Sequence, residues 1–321
     1  MRHIILILLQ LSLSVLTLSQ NQNFYDSDPH IIELTSRNFD KVVYGTNHST
    51  LVEFYAPWCG YCKQLKPKYH KVAKRLDGIV QVASVNCDLA KNSQLCSEQG
   101  IQGFPTVKIF KPPSGHDGKR SSKFDGVLYQ GEREVRAIAD FTLGFVRNSV
   151  AKLEKKPSVL RKLLHREKYL GILLSKKDTV SPLYKSIALN WMGKVKFAMV
   201  PLDKMDTESF FGNVMFKDDE YTDLLNLLRT TIDELKRNET KSNKFIVLDI
   251  ERGTIEPLET KPSSGIKRAV VSEFLSKITG EIPNEGPLSK RQDYIDGLKR
   301  GQHKKEGKGK TGSSRRDRDE L

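Results

Sequence analysis

Two of the chain's four cysteines stand three positions apart in Trp58-Cys59-Gly60-Tyr61-Cys62. At that spacing a pair can close a small disulfide ring. A β-rich run precedes it and a helical pattern follows, which puts Cys59 at a helix start. Unpaired amides and the helix dipole there favour a thiolate over a thiol, and a thiolate is the species that attacks a disulfide sulfur. Cys62, one turn further in, is suited to attack the resulting mixed disulfide and release the substrate. Two other chemistries compete. A zinc site built from all four cysteines needs a second close pair, and Cys87 and Cys96 are nine apart. An inert structural disulfide between Cys59 and Cys62 fits poorly with a helix start flanked by aromatic residues.

The elements that must position this pair lie within a predicted first domain, residues 25–150. Ile31 to Leu34 reads as a short strand. Ser49 to Tyr55 is a mostly apolar, β-rich run, expected of a strand covered on both faces. A helix follows from Cys59 to Leu76, with Leu65, Tyr69, Val72 and Leu76 at helical spacing and a kink expected at Pro67. Ile79 to Val85 is a second buried strand. A short helix spans Gln94 to Gln99, strands span Thr106 to Phe110 and Val127 to Tyr129, and a last helix spans Glu132 to Val146. Strands alternating with helices mean a layered α/β sheet.

The segment Leu51-Val-Glu-Phe-Tyr-Ala-Pro-Trp-Cys-Gly-Tyr-Cys-Lys63 resembles the active-site segment of the protein disulfide isomerase family, and Gly103-Phe104-Pro105-Thr106 resembles that family's cis-proline loop. The first domain as a whole is similar to a catalytic thioredoxin-fold domain. The layout resembles a small two-domain fungal member of the family. The resemblance implies further roles. Glu53 matches a buried carboxylate that helps move the proton of the second cysteine. Pro105 matches the cis-proline facing the disulfide. Arg133 matches an arginine that approaches the second cysteine during reoxidation; a solvated residue at a helix start is the alternative. Trp58, Tyr61, Phe104 and Pro105 are the expected substrate-binding surface. Two positions depart from the family pattern. Tyr61 stands where His is usual, and Ser84 stands where a Lys usually lies near the buried Glu. Both departures point away from a strongly oxidising pair.

Cys87 and Cys96 are expected to form a structural disulfide. In an oxidising compartment, closing a loop of about ten residues contributes about 2.7 kcal/mol in the chain-entropy model. A pair of free or regulatory thiols is the alternative.

A second domain is expected over residues 155–280. Tyr169–Leu174, Val195–Val200, Phe245–Ile250 and Thr254–Leu258 read as strands, and Pro182–Met192, Tyr221–Leu235 and Ala269–Ile278 as helices. The order repeats that of the first domain and predicts a thioredoxin-like fold without Cys, hence without thiol exchange. Met192, Met199, Met205 and Met215, with Phe197, Phe210, Phe211 and Phe216, read as ordinary core, the alternative being an adaptable binding surface.

The chain has 321 residues, 53 Lys and Arg against 39 Asp and Glu, and a net charge of +14. Its composition excludes collagen, a disulfide-stapled miniprotein and a multi-span membrane protein. Residues 1–19 have the order of a secretory signal peptide: Arg2 and His3, an apolar run to Leu18, then Thr17 and Ser19 at cleavage-compatible positions. Residues 281–321 read as a basic flexible tail. Residues 299–320 hold no aliphatic or aromatic residue and cannot bury enough apolar surface to order themselves. The tail ends in Arg318-Asp319-Glu320-Leu321, which resembles the endoplasmic-reticulum retention tetrapeptide. Asn47-His48-Ser49 and Asn238-Glu239-Thr240 are candidate glycosylation sequons.

The expectation is a thiol–disulfide oxidoreductase and isomerase of the endoplasmic-reticulum lumen, a monomer needing no metal or organic cofactor. Its expected partners are unfolded or misfolded secretory polypeptides, an upstream thiol oxidase or glutathione, and a retention-signal receptor. Nucleic acid and a membrane span are not expected. The alternatives are a non-enzymatic chaperone or client-retention module and a dedicated disulfide reductase.

Overall fold

The structure is a computed structural model that describes residues 23–113, 123–214, 220–237, 243–259 and 266–284. The signal-peptide pattern, the retention tetrapeptide, Asn238, Met215 and Phe216 lie outside the described residues. The chain divides into two compact units, with the break between Arg147 and Asn148.

The first unit runs β1 (Ile32–Leu34), a π-helical turn (Asp40–Tyr44), β2 (Thr50–Tyr55), α1 (Gly60–Leu76), β3 (Gln81–Asn86), α2 (Ser93–Glu98), β4 (Thr106–Phe110), β5 (Val127–Leu128) and α3 (Val135–Gly144). The strands form one five-stranded sheet in the order β1-β3-β2-β4-β5. β2 is parallel to β3 and antiparallel to β4. Its central place is why every residue from Thr50 to Tyr55 is buried, and why the run is β-rich without alternation. α1 buries Cys62, Leu65, Tyr69, Val72, Ala73 and Leu76 and continues through Pro67. Each fully buried Leu or Val on that face contributes about 1.5–3 kcal/mol. The Tyr69 hydroxyl bridges the two inner strands, 2.7 Å from the Ala83 carbonyl and 3.2 Å from that of Leu51. α1 is thereby fixed over the sheet with its first turn at the end of β2.

The second unit repeats this plan. It runs β6 (Ala151–Lys152), α4 (Pro157–Leu164), β7 (Tyr169–Ser175), α5 (Pro182–Asn190), β8 (Lys196–Pro201), α6 (Thr207–Gly212), α7 (Thr222–Arg237), β9 (Lys244–Asp249), β10 (Thr254–Pro257) and α8 (Arg268–Thr279). The sheet order β6-β8-β7-β9-β10 matches the first unit strand for strand. Tyr184 of α5 repeats Tyr69, its hydroxyl 2.9 Å from the Ala198 carbonyl and 3.3 Å from that of Gly171. β6 lies before the expected start at residue 155, between the two expected domains. It pairs with β8, so the second unit begins earlier. Met199, Met205, Phe197, Phe210 and Phe211 are buried in its core.

Candidate active site

Cys59 is the N-cap of α1, and its sulfur accepts the Cys62 amide at 3.4 Å. The same sulfur lies 3.5 Å from the Phe104 carbonyl. The Phe104–Pro105 peptide, just before β4, is cis. Both Cys59 and Cys62 are free of disulfide bonds. Cys59 is 8% exposed and Cys62 is 0% exposed, so an incoming sulfur can reach the first and not the second. Burial pushes the Cys62 thiol up to about 12. Near neutral pH such a thiol needs a base before it can attack anything.

Trp58 and Tyr61 flank the pair, 65% and 66% exposed. Trp58 meets Phe104 edge to face at 6.1 Å, and its indole N–H donates to Asp88 Oδ1 at 2.9 Å. These contacts fix the ring as one wall beside Cys59. On the other side the Arg133 guanidinium lies 5.8 Å from the centre of the Tyr61 ring. Arg133 is exposed, and Tyr61 is the side chain on which it rests.

Glu53 sits mid-β2 with no exposure. Burial pushes its carboxyl up to about 8; the Tyr25 hydroxyl and the positive charge of Arg133 pull it down, and Glu33 pushes it up. The Tyr25 O–H donates to Oε2 at 2.6 Å, while Oε1 is buried without a hydrogen-bond partner. The negative charge of Glu53 in turn raises Cys62, so the two groups share one electrostatic environment. An acceptor oxygen with an unused lone pair, within electrostatic reach of a buried thiol, is a group that can take the thiol's proton directly or through one water. Tyr25 and Glu33 were not singled out from the sequence. For Glu33 a signal existed: a carboxylate inside the apolar run Ile31-Ile32-Glu33-Leu34, just as Glu53 lies inside Leu51-Val52-Glu53-Phe54.

An acid whose proton affinity rises on folding stabilises the fold while protonated and costs stability as it ionises. For Glu53 that loss accumulates from its ordinary value of 4.5 to about 8, on the order of 1.4 kcal/mol per pH unit at most. Glu53→Gln is therefore expected to be more stable than wild type at pH 8, with the gap closing toward pH 4.5. Thermal melts across that range check it; a gap independent of pH would remove the buried charge as its cause.

Cys87 and Cys96 are bonded, with Cα atoms 6.0 Å apart. The bond ties the end of β3 to α2. It leaves two free sulfurs, too few for the four-cysteine zinc alternative, and the described residues hold no cluster fit for a metal ion. No helix among the described residues is long and apolar enough to cross a membrane.

The Asn47 sequon is corrected. Asn47, His48 and Ser49 are 4%, 4% and 2% exposed, and Arg147 Nη1 donates to Asn47 Oδ1 at 3.1 Å. A glycan on that amide has no path to solvent in the folded chain.

Comparison with known proteins gives a consistent picture. The thioredoxin family matches residues 30–139. The protein disulfide-isomerase MPD1 of Saccharomyces cerevisiae is 39% identical, over 98% of this chain and 98% of that protein. A protein disulfide-isomerase A6 homologue of Drosophila melanogaster is 42% identical over 40% of this chain and 27% of its own length. Among solved structures, a crystal form of ERdj5 superposes with a TM-score of 0.50 over 74% of this chain and 28% of that one. At 21% identity that likeness speaks to the fold alone.

Proposed function

The chain belongs to the protein disulfide-isomerase family and is a thiol–disulfide oxidoreductase and isomerase, and on that premise we propose how its residues divide the work. Cys59 attacks a client disulfide and becomes linked to one client sulfur; the other client sulfur leaves as a thiolate. Glu53 takes the proton of Cys62. The Cys62 thiolate then attacks Cys59, closing the Cys59–Cys62 disulfide and releasing the client. Run backwards, the same steps oxidise a client dithiol. Trp58, Phe104, Pro105 and Tyr61 form the client-binding rim.

The observation that carries this division is the contrast between a reachable Cys59 at a helix cap and an unreachable Cys62. The clients are unfolded or misfolded secretory polypeptides, and a thiol oxidase or glutathione resets the pair. The compartment is the endoplasmic-reticulum lumen, supported by the pattern of residues 1–19 and by the Arg318–Leu321 tetrapeptide, read by a retention receptor. The full chain is expected to reactivate a protein with scrambled disulfides in a glutathione buffer. Failure to do so, with Cys59 and Cys62 intact, would overturn the assignment.

Tyr61 sets the redox poise. A cationic His at this place would stabilise a thiolate on Cys59 and hence the reduced form, making the disulfide more oxidising. Tyr offers a hydroxyl and a ring with the Arg133 guanidinium 5.8 Å from its centre. Tyr61→His is expected to raise the reduction potential by a few tens of millivolts, where about 30 mV corresponds to about 1.4 kcal/mol. Equilibration against glutathione buffers measures it. An unmoved potential with weaker peptide binding would make Tyr61 a client contact alone.

A further inference from the structure

The buried carboxylate of this site is held in an unusual way. Register places Glu33 of β1 opposite Ser84 of β3, and Ser84 opposite Glu53 of β2. Two carboxylates thus flank one small hydroxyl in a single row across three neighbouring strands. Ser84 Oγ makes no hydrogen bond of ordinary geometry, and neither do Glu33 Oε2 and Glu53 Oε1. A segment just before β1 closes over this row. The Tyr25 O–H donates to Glu53 Oε2 at 2.6 Å, and the Tyr25 amide donates to Glu33 Oε1 at 3.1 Å. The Tyr55 hydroxyl donates to the same Glu33 oxygen at 2.6 Å and accepts the Phe24 amide at 2.7 Å. The Phe24 and Tyr55 rings stack at 4.5 Å, and Asn86 Nδ2 donates to Asn23 Oδ1 at 3.1 Å. Tyr25 itself is 3% exposed.

A single residue, Tyr25, therefore touches both carboxylates, one through its side chain and the other through its backbone. No spacing rule in the sequence assigns it a role. We propose that Tyr25 and Glu33 are positioning residues for the Cys62 step, Tyr25 favouring the ionised form of Glu53 and Glu33 opposing it, so that together they set the pH at which Glu53 can accept the Cys62 proton. This inference rests on the reading of Glu53 as the base. The step is Cys62–SH plus Glu53–COO⁻ giving Cys62–S⁻ and Glu53–COOH. The thiolate then displaces the client sulfur from Cys59.

The two partners act with opposite sign. A donor to a carboxylate favours its charged form, and a second carboxylate nearby disfavours it. Burial and the adjacent carboxylate hold Tyr25 well above its ordinary value, so its hydroxyl stays a donor throughout the working range. The other groups facing Glu53 are Arg133 before α3, whose charge favours the ionised form, and Tyr55 on β2 with Tyr69 and Cys62 on α1, all three neutral near pH 7. From β4 the opposite residue is Val107.

The test isolates the Cys62 step. Reduced full-length protein is mixed with oxidised glutathione in a stopped-flow instrument and followed by tryptophan fluorescence. Attack by Cys59 is bimolecular and speeds up with glutathione. Ring closure by Cys62 is unimolecular and sets the plateau, whose pH dependence gives a midpoint. Tyr25→Phe keeps the ring and removes the donor. It is expected to move the midpoint up by about one pH unit, which slows closure about tenfold below the midpoint. Glu33→Gln keeps an acceptor for Tyr55 and the Tyr25 amide and removes the like charge. It is expected to move the midpoint down. Opposite displacements are a signature that simple loss of packing does not produce. If Glu53→Gln abolishes the midpoint while Tyr25→Phe and Glu33→Gln leave it in place or move it the same way, the proposal is overturned. If Glu53→Gln leaves the wild-type midpoint, Glu53 is not the base, and the roles of Tyr25 and Glu33 fall with it.

Discussion

Cys62→Ser is expected to leave the protein covalently stalled on its clients, and Cys59→Ser to leave it with none. Cys59 is the sulfur that an incoming disulfide can reach, while Cys62 is fully enclosed at the first turn of α1. In the Cys62→Ser protein the first attack proceeds, and the mixed disulfide then has no neighbour able to open it. A serine hydroxyl does not ionise near neutral pH and does not displace sulfur. In the Cys59→Ser protein the first attack itself is lost. The remaining thiol is buried and held up to about 12, so it does not substitute. Loss of the nucleophile is expected to cost at least ~100-fold in scrambled-substrate reactivation, because no other thiolate stands at the site. Alkylation-quenched samples separated without reductant, followed by mass spectrometry, count the adducts. Accumulation in Cys62→Ser and none in Cys59→Ser is the expected pattern. Retention of full activity by the Cys59→Ser/Cys62→Ser double variant would favour a chaperone that works without thiols.

The sequence made the reactive pair, its helix and the alternation of strands and helices legible, because each rests on local rules. Thr50–Tyr55 is uniformly apolar apart from Thr50 and Glu53, and that reads directly as a strand covered on both faces. The buried face of α1 recurs at helical spacing from Cys62 to Leu76. Three features were not legible. β6 has two residues, too short for any periodicity, and exists because β8 offers an open edge. The burial of Asn47 comes from the far end of the unit: Arg147 bonds its amide, and the Phe145 carbonyl accepts from the Ser49 hydroxyl at 2.7 Å. A tripeptide pattern carries no information about partners about a hundred positions away. The pairing of Tyr25 with Glu53 spans 28 positions and depends on strand register. Glu33 was within reach, since a carboxylate in an apolar strand is costly without a partner or a task. Ser84 read only as the loss of a cation. In three dimensions it is the small residue that lets two carboxylates occupy one row.

Removing the Cys87–Cys96 bond is expected to lower stability far more than it lowers activity. The bond joins the end of β3 to α2 across a separation of nine residues. Closing a loop of that size restricts the unfolded chain by about 2.7 kcal/mol in the chain-entropy model. For a unit of this size that is a fall of about 8–10 °C in Tm. The bond also has a native-state role: Cys96 is 6% exposed and packs with Leu34, Phe39, Val43 and Phe54 in the core. The appropriate variant is Cys87→Ala/Cys96→Ala. A single substitution would leave a thiol free to exchange with Cys59 and confuse structural loss with redox interference. The link to the active site is indirect. Asp88, next to Cys87, accepts the Trp58 indole N–H, so the double variant is expected to loosen one wall of the client rim and weaken client binding modestly. Cys59 and Cys62 are held instead by the first turn of α1, where the Cys59 sulfur accepts the Cys62 amide, and glutathione exchange at 25 °C is expected to stay within about twofold of wild type, a rate change worth under 1 kcal/mol. The bond is also expected to survive a reductant that opens Cys59–Cys62. Structural disulfides in secreted proteins lie below about −300 mV, well under an endoplasmic-reticulum poise of about −180 to −210 mV. Mass spectrometry after graded reduction decides this. Both pairs opening together would make Cys87–Cys96 a second exchanging disulfide, and loss of glutathione exchange in parallel with Tm would make it part of the active site.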